Sequence, residues 1–326
     1  MVTVRRCTPT HLLAATVVVG IALLVPVVSC AAQDAPAVAT PQPAKADVIA
    51  APERRFVAPT ERDRIGRIWA PVLINGKGPF RLALDTGATN SAVTVDVARA
   101  LGLPVLDSDQ VTLRGVTGSA TVPTIPIDGM VIGDLELSSQ RLPIVASALG
   151  GADGILGTEG LLDKRITIDF RNDSIKIVRS RKERAGYGFV AIPFKLADGL
   201  AIIDVQIGDV DAKAIVDTGG QGSIGNVALH ESLLRRYRKD VVVPDGIVGI
   251  TLDVQSGTRI DIPPIVLGGV AIEHVKITTG EMEIFKLWKM TNKPVVLLGM
   301  DVLGLFDTLI IDYARRELQV RFAHRQ

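Results

Sequence analysis

The tripeptide Asp-Thr-Gly occurs twice in the chain, each time directly after a short apolar run. The first copy lies in FRLALDTGATN (80–90) and the second in AKAIVDTGGQGS (212–223). A carboxylate at the end of a predicted buried strand carries a large free-energy cost unless it is paired or hydrogen-bonded. Asp85 and Asp217 therefore each need a partner, and any fold of this chain must supply one.

The residues around the first copy predict a small β-rich unit. We expect a strand over 69–73, a turn at Asn75-Gly76 and Lys77-Gly78, and a returning strand over 80–84. A short helix over 95–101 is predicted to follow the Asp-Thr-Gly turn.

The second copy repeats this order of elements. Strands are predicted over 201–207 and 212–216, with a turn at Gly208-Asp209 between them, and a helix over 226–234 follows. The chain therefore contains an internal duplication, which predicts two similar β-rich lobes.

Further repeats lie downstream of each unit. Gly-bearing hairpins are predicted at GVTGSAT (115–121) and GITLDVQSGT (249–258), and an apolar-apolar-Gly triplet follows each, ILG (155–157) and LLG (297–299). An acidic residue, Glu159 or Asp301, stands two places after each triplet. We expect both acidic side chains to be structural and to bond backbone groups nearby.

Composition supports a β-rich fold and argues against nucleic-acid binding. Apolar residues make up 47% of the chain but aromatic residues only 4%, so the core must consist mainly of Val, Ile, Leu and Ala, which favours strands. The 36 basic residues are balanced by 35 acidic ones, and no basic stripe is interleaved with aromatic residues.

The N-terminus resembles an export signal. Arg5 and Arg6 precede an apolar stretch that ends in VVSC, which resembles a bacterial lipobox with Cys30 as the lipidated residue. Two alternatives remain open: an ordinary secreted protein that is cleaved near residue 31 or 32, or a membrane anchor that is not cleaved. Because the only other cysteine is Cys7, the mature body has none for a disulfide. We expect an exported protein of the periplasm, held to the membrane through a lipid anchor.

Five segments are predicted along the chain. They are a signal segment (1–30), an Ala/Pro-rich tether (31–61), an N-terminal lobe (62–180), a charged hinge (181–188) and a C-terminal lobe (189–326).

Two sets of motifs resemble the two halves of a retropepsin-like aspartic protease in a bacterial single-chain form. They are ALDTGA (83–88) with ILG, and IVDTGG (215–220) with LLG. The resemblance covers about residues 65–320. It implies a mainly β, bilobal fold with a cleft between the lobes, a protein or peptide substrate, and neither metal nor cofactor. It also implies a monomer that forms a pseudo-dimer within one chain.

The resemblance assigns roles to particular residues. Asp85 and Asp217 would form the catalytic dyad. Around them, Thr86 and Thr218 would grip the opposite loop, and Gly87 and Gly219 would allow close backbone approach. The remaining positions are the ψ-loop glycines Gly157 and Gly299 and the flap and substrate-binding residues Gly115, Val116, Thr117, Gly118, Gly249 and Ile250.

Two departures from the family pattern affect the expected chemistry. Ala88 and Gly220 stand where a hydroxyl would stabilise a charged carboxylate, so we expect optimal activity at mildly acidic to near-neutral pH. A peak below about pH 3.5 would contradict this. The first flap also lacks the tyrosine of pepsin-type enzymes, which places the chain nearer the retroviral type.

Several alternatives remain open from the sequence. The chain could be a non-catalytic peptide-binding lipoprotein, or each copy could form half of a site in a dimer. No zinc motif or Ser-His-Asp arrangement is evident. The segment EMEIFKLWKM (281–290) is an insertion in the second lobe. Its apolar residues could line a substrate pocket, although packing under a loop is favoured, and they are Phe285, Leu287, Trp288 and Met290.

Overall fold

The computed structural model describes residues 3–6, 49–50, 69–106, 108–133, 135–146, 150–172, 174–237 and 243–322. Residues 3–6 and 49–50 form two short strands, β1 (Thr3–Arg6) and β2 (Ile49–Ala50). The rest of the predicted signal segment and tether, including Cys30, lies outside the described residues. Among the residues that are described, no helix is long and apolar enough to cross a membrane.

The first lobe is built around a closed six-stranded barrel. Strands β3, β4, β9, β5, β8 and β7 pair in that order, and β3 pairs back to β7; β6 extends the sheet beyond β7. Their bounds are β3 (Trp69–Ile74), β4 (Lys77–Leu84), β5 (Ala92–Thr94), β6 (Gln110–Arg114), β7 (Ser119–Ile132), β8 (Leu135–Val145) and β9 (Gly154–Leu156). Helix α1 covers Val95–Leu101, as predicted.

Alternation of apolar residues explains how these strands build a core. In β3 the side chains of Ala70, Val72 and Ile74 are fully buried, whereas Leu73 between them is partly exposed. Burying one such branched side chain contributes about 1.5–3 kcal/mol. The turn between β3 and β4 is confined to Asn75-Gly76, so the predicted extension of the turn to Lys77-Gly78 is wrong: both residues already belong to β4.

A five-stranded sheet joins the two lobes. Its order is β11-β10-β23-β24-β12, and the central pairing of β10 with β23 brings strands of both halves side by side. The strands are β10 (Lys164–Asp169), β11 (Ser174–Arg179), β12 (Val190–Pro193), β23 (Thr308–Asp312) and β24 (Glu317–Arg321). The predicted hinge lies between β11 and β12, where the Lys182 carbonyl accepts a 2.9 Å hydrogen bond from Arg315.

The second lobe repeats the arrangement of the first within a twelve-stranded sheet that also includes β1 and β2. Its strands are β13 (Lys195–Ala197), β14 (Leu200–Ile207), β15 (Val210–Val216), β16 (Ile224–Gly225), β17 (Val243–Val248), β18 (Val254–Asp261), β19 (Ile265–Leu267), β20 (Val270–Glu273), β21 (Lys276–Thr279) and β22 (Val295–Leu298). The helices are α2 (Val227–Arg236), α3 (Glu283–Leu287) and α4 (Met300–Leu303).

Helix α2 begins one residue later than predicted because Asn226 caps it. The Asn226 side chain accepts a 2.9 Å hydrogen bond from the Leu229 N–H, which satisfies one of the free donors of the first turn.

Pairing around the two Asp-Thr-Gly turns is the same in both lobes. Strand β4 runs parallel to β9, and β15 runs parallel to β22 in the corresponding register. Strands β5 and β16 then pair antiparallel to β9 and β22. The expected mainly β fold, with two similar lobes, is confirmed.

Candidate active site

Asp85 and Asp217 lie directly after β4 and β15. The Asp85 N–H donates to the Leu156 carbonyl at 2.9 Å, and the Asp217 N–H donates to the Leu298 carbonyl at 3.0 Å. The parallel neighbour strand therefore fixes the backbone of each aspartate. Because both strands end at the junction of the lobes, the two carboxyl groups meet there.

The glycines of the two turns lie against the aspartates. Gly87 and Gly219 each donate a 2.9 Å hydrogen bond to the aspartate two residues before them, and Gly220 donates a second bond, at 3.0 Å, to Asp217. A β-carbon at position 87 would lie 2.9 Å from Cγ of Asp217, and one at position 219 would collide with the Asp85 carboxyl. Glycine is required at both positions for the two carboxyl groups to approach.

The two carboxyl groups hydrogen-bond to each other, and the pKa of Asp85 is raised to about 8. Burial is the main cause, followed by the negative charge of Asp217; the N–H groups of Gly87 and Ala88 act in the opposite direction. Two carboxylates this close cannot both ionise without a large free-energy cost, so the pair holds one proton near neutral pH. The raised pKa favours the proton on Asp85, which leaves the negative charge on Asp217.

Thr86 and Thr218 tie the two loops together. The Thr86 hydroxyl donates to the Val216 carbonyl at 2.6 Å and accepts from the Thr218 N–H at 3.1 Å. The Thr218 hydroxyl donates to the Leu84 carbonyl at 2.8 Å and accepts from the Thr86 N–H at 3.1 Å. Both threonines are buried. The expected grip across the lobes is therefore present in the geometry, with the same bonds in both directions.

The ψ-loop glycines directly follow β9 and β22, and they allow the Asp-Thr-Gly loops to pack tightly against the ends of these strands. A β-carbon at Gly157 would lie 2.8 Å from the backbone N of Asn90, and one at Gly299 would lie 2.7 Å from the carbonyl carbon of Gly222. Any side chain at either position would push the loop, and its aspartate, out of place.

A second pair of contacts fixes each loop, and it joins an acidic residue whose structural role was predicted to a serine whose role was not. The Ser91 N–H donates to Glu159 at 2.7 Å, and the Ser91 hydroxyl accepts from the Gly157 N–H at 3.0 Å. The predicted structural role of Glu159 is confirmed by this bond. Burial raises the pKa of Glu159 above its ordinary value.

The second lobe repeats the arrangement with Ser223 and Asp301. The Ser223 N–H and hydroxyl donate to Asp301 at 2.9 and 2.7 Å, and the hydroxyl accepts from the Gly299 N–H at 3.1 Å. The predicted backbone contact of Asp301 is confirmed as well. Each serine stands six residues after its aspartate, and this shared spacing is the signal that could have revealed the pair.

Tyr313 is a further residue near the site, and no pattern in the sequence predicted it there. It directly follows β23 of the sheet that joins the lobes, and its ring packs edge-on against Phe194 with ring centres 5.8 Å apart. Burial, and the charge that Asp85 carries once it has ionised, raise the pKa of Tyr313 well above its usual value. The hydroxyl group therefore stays protonated beside the dyad.

The predicted flap residues lie at the tips of two hairpins. Flap 1 is the turn 115–118 between β6 and β7, and flap 2 is the turn 249–253 between β17 and β18. Gly257, which belongs to the predicted hairpin at 249–258, lies within β18 and pairs with Asp245, so it is not part of the tip. Gly115, Val116, Thr117 and Gly118 thus form one tip, and Gly249 and Ile250 begin the other.

The described residues contain no group of three or more His, Cys, Asp or Glu side chains arranged to hold a metal ion. The insertion at 281–290 forms α3, in which Phe285 is fully buried while Leu287 is partly exposed. Trp288 and Met290 pack against the same apolar cluster as Phe285. The favoured interpretation, that these apolar residues pack within the fold, is therefore confirmed for Phe285.

Comparison with known proteins agrees with this geometry. Residues 70–159 match the family model described as aspartyl protease. The match includes Asp85 and Gly157 and ends before the second Asp-Thr-Gly. It supports an aspartic protease family for the chain. A search of curated proteins finds no match.

Proposed function

We propose that this protein is an aspartic endopeptidase in which Asp85 and Asp217 form one dyad. The observation that carries the proposal is the close approach of the two carboxyl groups, each of which lies against a glycine of the opposite lobe. Burial, followed by the negative charge of Asp217, raises the pKa of Asp85 to about 8. A pair with one proton offers an acid and a base side by side at the same pH, which hydrolysis of an amide requires.

The reaction follows from that proton distribution. The Asp217 carboxylate takes a proton from a water molecule, whose oxygen attacks the carbonyl carbon of the peptide bond. Asp85 donates its proton to the carbonyl oxygen, which gives a tetrahedral diol. As the C–N bond breaks, Asp217 returns its proton to the leaving nitrogen and Asp85 takes one from a diol hydroxyl, so the dyad is restored.

The surrounding residues hold this pair in place. The threonine bonds between the loops and the serine bonds to Glu159 and Asp301 fix both aspartates before substrate binds, which limits reorganisation during the reaction. An extended peptide would lie between the dyad and the two flaps, with alternate side chains in pockets of either lobe.

The setting of the enzyme is also part of the proposal. The lipobox-like VVSC and the Ala/Pro-rich tether support export to the bacterial periplasm and anchoring through Cys30. Because both Asp-Thr-Gly loops of one chain meet, we propose an active monomer.

Peptide cleavage by the purified protein between pH 4 and 8 tests the proposal. We expect cleavage to fall by roughly 10³-fold or more in both Asp85→Asn and Asp217→Asn. Asp128→Asn, which changes an exposed carboxylate of the first lobe, is the matched control and should leave the rate unchanged. Full activity in either dyad variant would refute a shared dyad. Absence of cleavage in the folded wild-type protein would favour the alternative, a peptide-binding lipoprotein.

A further inference from the structure

The tips of the two flaps lie against each other. Gly249 of flap 2 touches the hydroxyl of Thr117 in flap 1, and a β-carbon at Gly115 would lie 3.1 Å from Cγ2 of Ile250. The two tips are therefore in direct contact with each other.

Each flap tip packs on an apolar cluster of the opposite lobe. Ile250 packs on a cluster of the first lobe, together with Leu113 and Ala88. We call this cluster the lobe-1 pocket; its buried members are Ala92, Val145 and Ile155. Since Ala88 stands three residues after Asp85, the lobe-1 pocket lies beside the dyad.

Val116 of flap 1 packs in the same way on the second lobe, together with Ile247. We call the cluster there the lobe-2 pocket; its buried members are Leu200, Ile202, Ile215, Ile224, Met282, Ile284, Phe285, Val295 and Leu297. Ile215 stands two residues before Asp217, so this pocket also lies beside the dyad.

Strand register shows which residues of the two pockets correspond. Ala92 pairs with Ile155 in the first lobe, and Ile224 pairs with Leu297 in the second. Ile224 therefore occupies the place of Ala92, and Leu297 that of Ile155. At the first of these positions the lobe-1 pocket has a methyl group where the lobe-2 pocket has a branched four-carbon side chain.

The insertion increases this difference. Fifteen residues (280–294) connect β21 to β22, whereas eight (146–153) connect β8 to β9. The longer connection carries α3, which places Met282 and Phe285, both about 1% exposed, in the lobe-2 pocket. The Ile284 N–H also donates a 3.3 Å hydrogen bond to the Val116 carbonyl, so α3 holds the flap-1 tip over the pocket that it fills.

We infer that α3 and Ile224 make substrate recognition unequal on the two sides of the dyad. The lobe-1 pocket takes a bulky apolar side chain such as Leu, Ile or Phe. The lobe-2 pocket, filled by Phe285 and Ile224, takes only a small side chain such as Gly or Ala. This inference rests on the proposed peptidase function and names Phe285 and Ile224 as specificity-determining residues.

Cleavage of a mixed peptide library, with the cut sites mapped by mass spectrometry, tests the inference. For the wild type we expect a bulky apolar preference on one side of the cut bond and a small one on the other. Phe285→Ala and Ile224→Ala should each relax the small-side preference by roughly tenfold or more, and leave the bulky side unchanged, because each removes several carbons from the same pocket. Ala92→Ile should instead weaken acceptance of bulky residues on the other side.

Leu287→Ala is the matched control, because Leu287 lies on the same helix and is 38% exposed. Its preferences should equal those of the wild type. Thermal unfolding establishes that each variant is folded, and Ile224→Ala provides the test if Phe285→Ala does not fold. Equal preferences on both sides in the wild type, or unchanged preferences in folded Ile224→Ala, would overturn the inference while leaving the peptidase function intact. Absence of all cleavage by the wild type would instead refute the proposed function, and this inference with it.

Discussion

Gly219 of the second lobe lies directly against the carboxyl group of Asp85 in the first lobe. The reverse contact joins Gly87 to Asp217, where a β-carbon would come within 2.9 Å of Cγ. The dyad therefore depends on two glycines that each make room for the aspartate of the other lobe. Glycine is needed at both positions because a larger side chain would occupy the space of the opposite aspartate. Each Asp-Thr-Gly turn is therefore in direct contact with the other.

Gly219→Ala should abolish cleavage while leaving the protein folded. The added methyl group collides with the Asp85 carboxyl and forces the aspartates apart, so the two carboxyl groups no longer share one proton. The control is Gly222→Ala in the same loop, where the closest atom to a new β-carbon is 3.9 Å away. Steady-state peptide cleavage checks both variants, and an active Gly219→Ala would show that the close contact is dispensable.

The threonine grip should be needed for stability as well as for activity. Thr86→Ala leaves the buried Val216 carbonyl and Thr218 N–H without their partner, at about 1–3 kcal/mol for each group. We expect a lower free energy of unfolding in urea and reduced cleavage. Thr86→Ser keeps the hydroxyl and should recover most of both. If the serine variant were as impaired as the alanine variant, the hydrogen bonds would not be the cause.

The pH profile of cleavage should have its alkaline limb near pH 8. Activity requires one proton on the pair, and Asp85, with a pKa raised to about 8, retains it through neutral pH. An alkaline limb near pH 8 agrees with the expected optimum at mildly acidic to near-neutral pH, because Ala88 and Gly220 provide no hydroxyl group to stabilise a charged carboxylate. Measurement of kcat/KM from pH 3 to 9 checks this. An activity peak below about pH 3.5 would mean that the pair is ionised far more easily than its burial allows.

Local patterns in the sequence predicted the elements that carry the site. Apolar runs ending in Asp-Thr-Gly predicted β4 and β15, and helix α1 has the predicted bounds. These features depend on residues close together in the chain, so alternation and turn residues are sufficient to predict them. The meeting of Asp85 with Asp217 was predicted from the resemblance to a protease family.

Contacts that depend on strand register could not be predicted from the sequence. Ser91 and Gly157 are 66 residues apart, and only the pairing of β5 with β9 brings them together. The contact between the flap tips, and the hydrogen bond from the Ile284 N–H to the Val116 carbonyl, likewise depend on how elements of different lobes meet. No local pattern contains that information.

The two serines should therefore contribute to stability in a corresponding way. Ser223→Ala removes the partner of the Gly299 N–H and one bond to Asp301, and Ser91→Ala removes the partner of the Gly157 N–H. We expect each to lower the free energy of unfolding by about 1–3 kcal/mol, with Ser223→Ala the larger. Urea unfolding at pH 6 measures both. A loss in only one lobe would show that the duplicated contacts are not equivalent.

Asp85 should make the protein less stable as the pH rises, and Asp85→Asn should remove that loss. Its pKa is about 8 in the folded state and near 3.8 in the unfolded chain, so between these values the folded state holds a proton that the unfolded state releases. Stability is then fully present below about pH 4 and declines as the pH rises towards 8. Partial solvent contact of the Asp85 side chain reduces the effect to a few kcal/mol.

Urea unfolding of the wild type and Asp85→Asn at pH 4.5 and pH 8 measures the effect. The asparagine variant, neutral at both, should be the more stable protein at pH 8, and the difference should shrink at pH 4.5, where Asp85 is protonated in the folded state and partly so in the unfolded chain. Asp128→Asn, which changes an exposed carboxylate of the first lobe, is the matched control and should behave as the wild type does. A wild type as stable as Asp85→Asn at pH 8 would mean that the dyad ionises without cost. The sharing of one proton, on which the proposed chemistry depends, would then have to be abandoned.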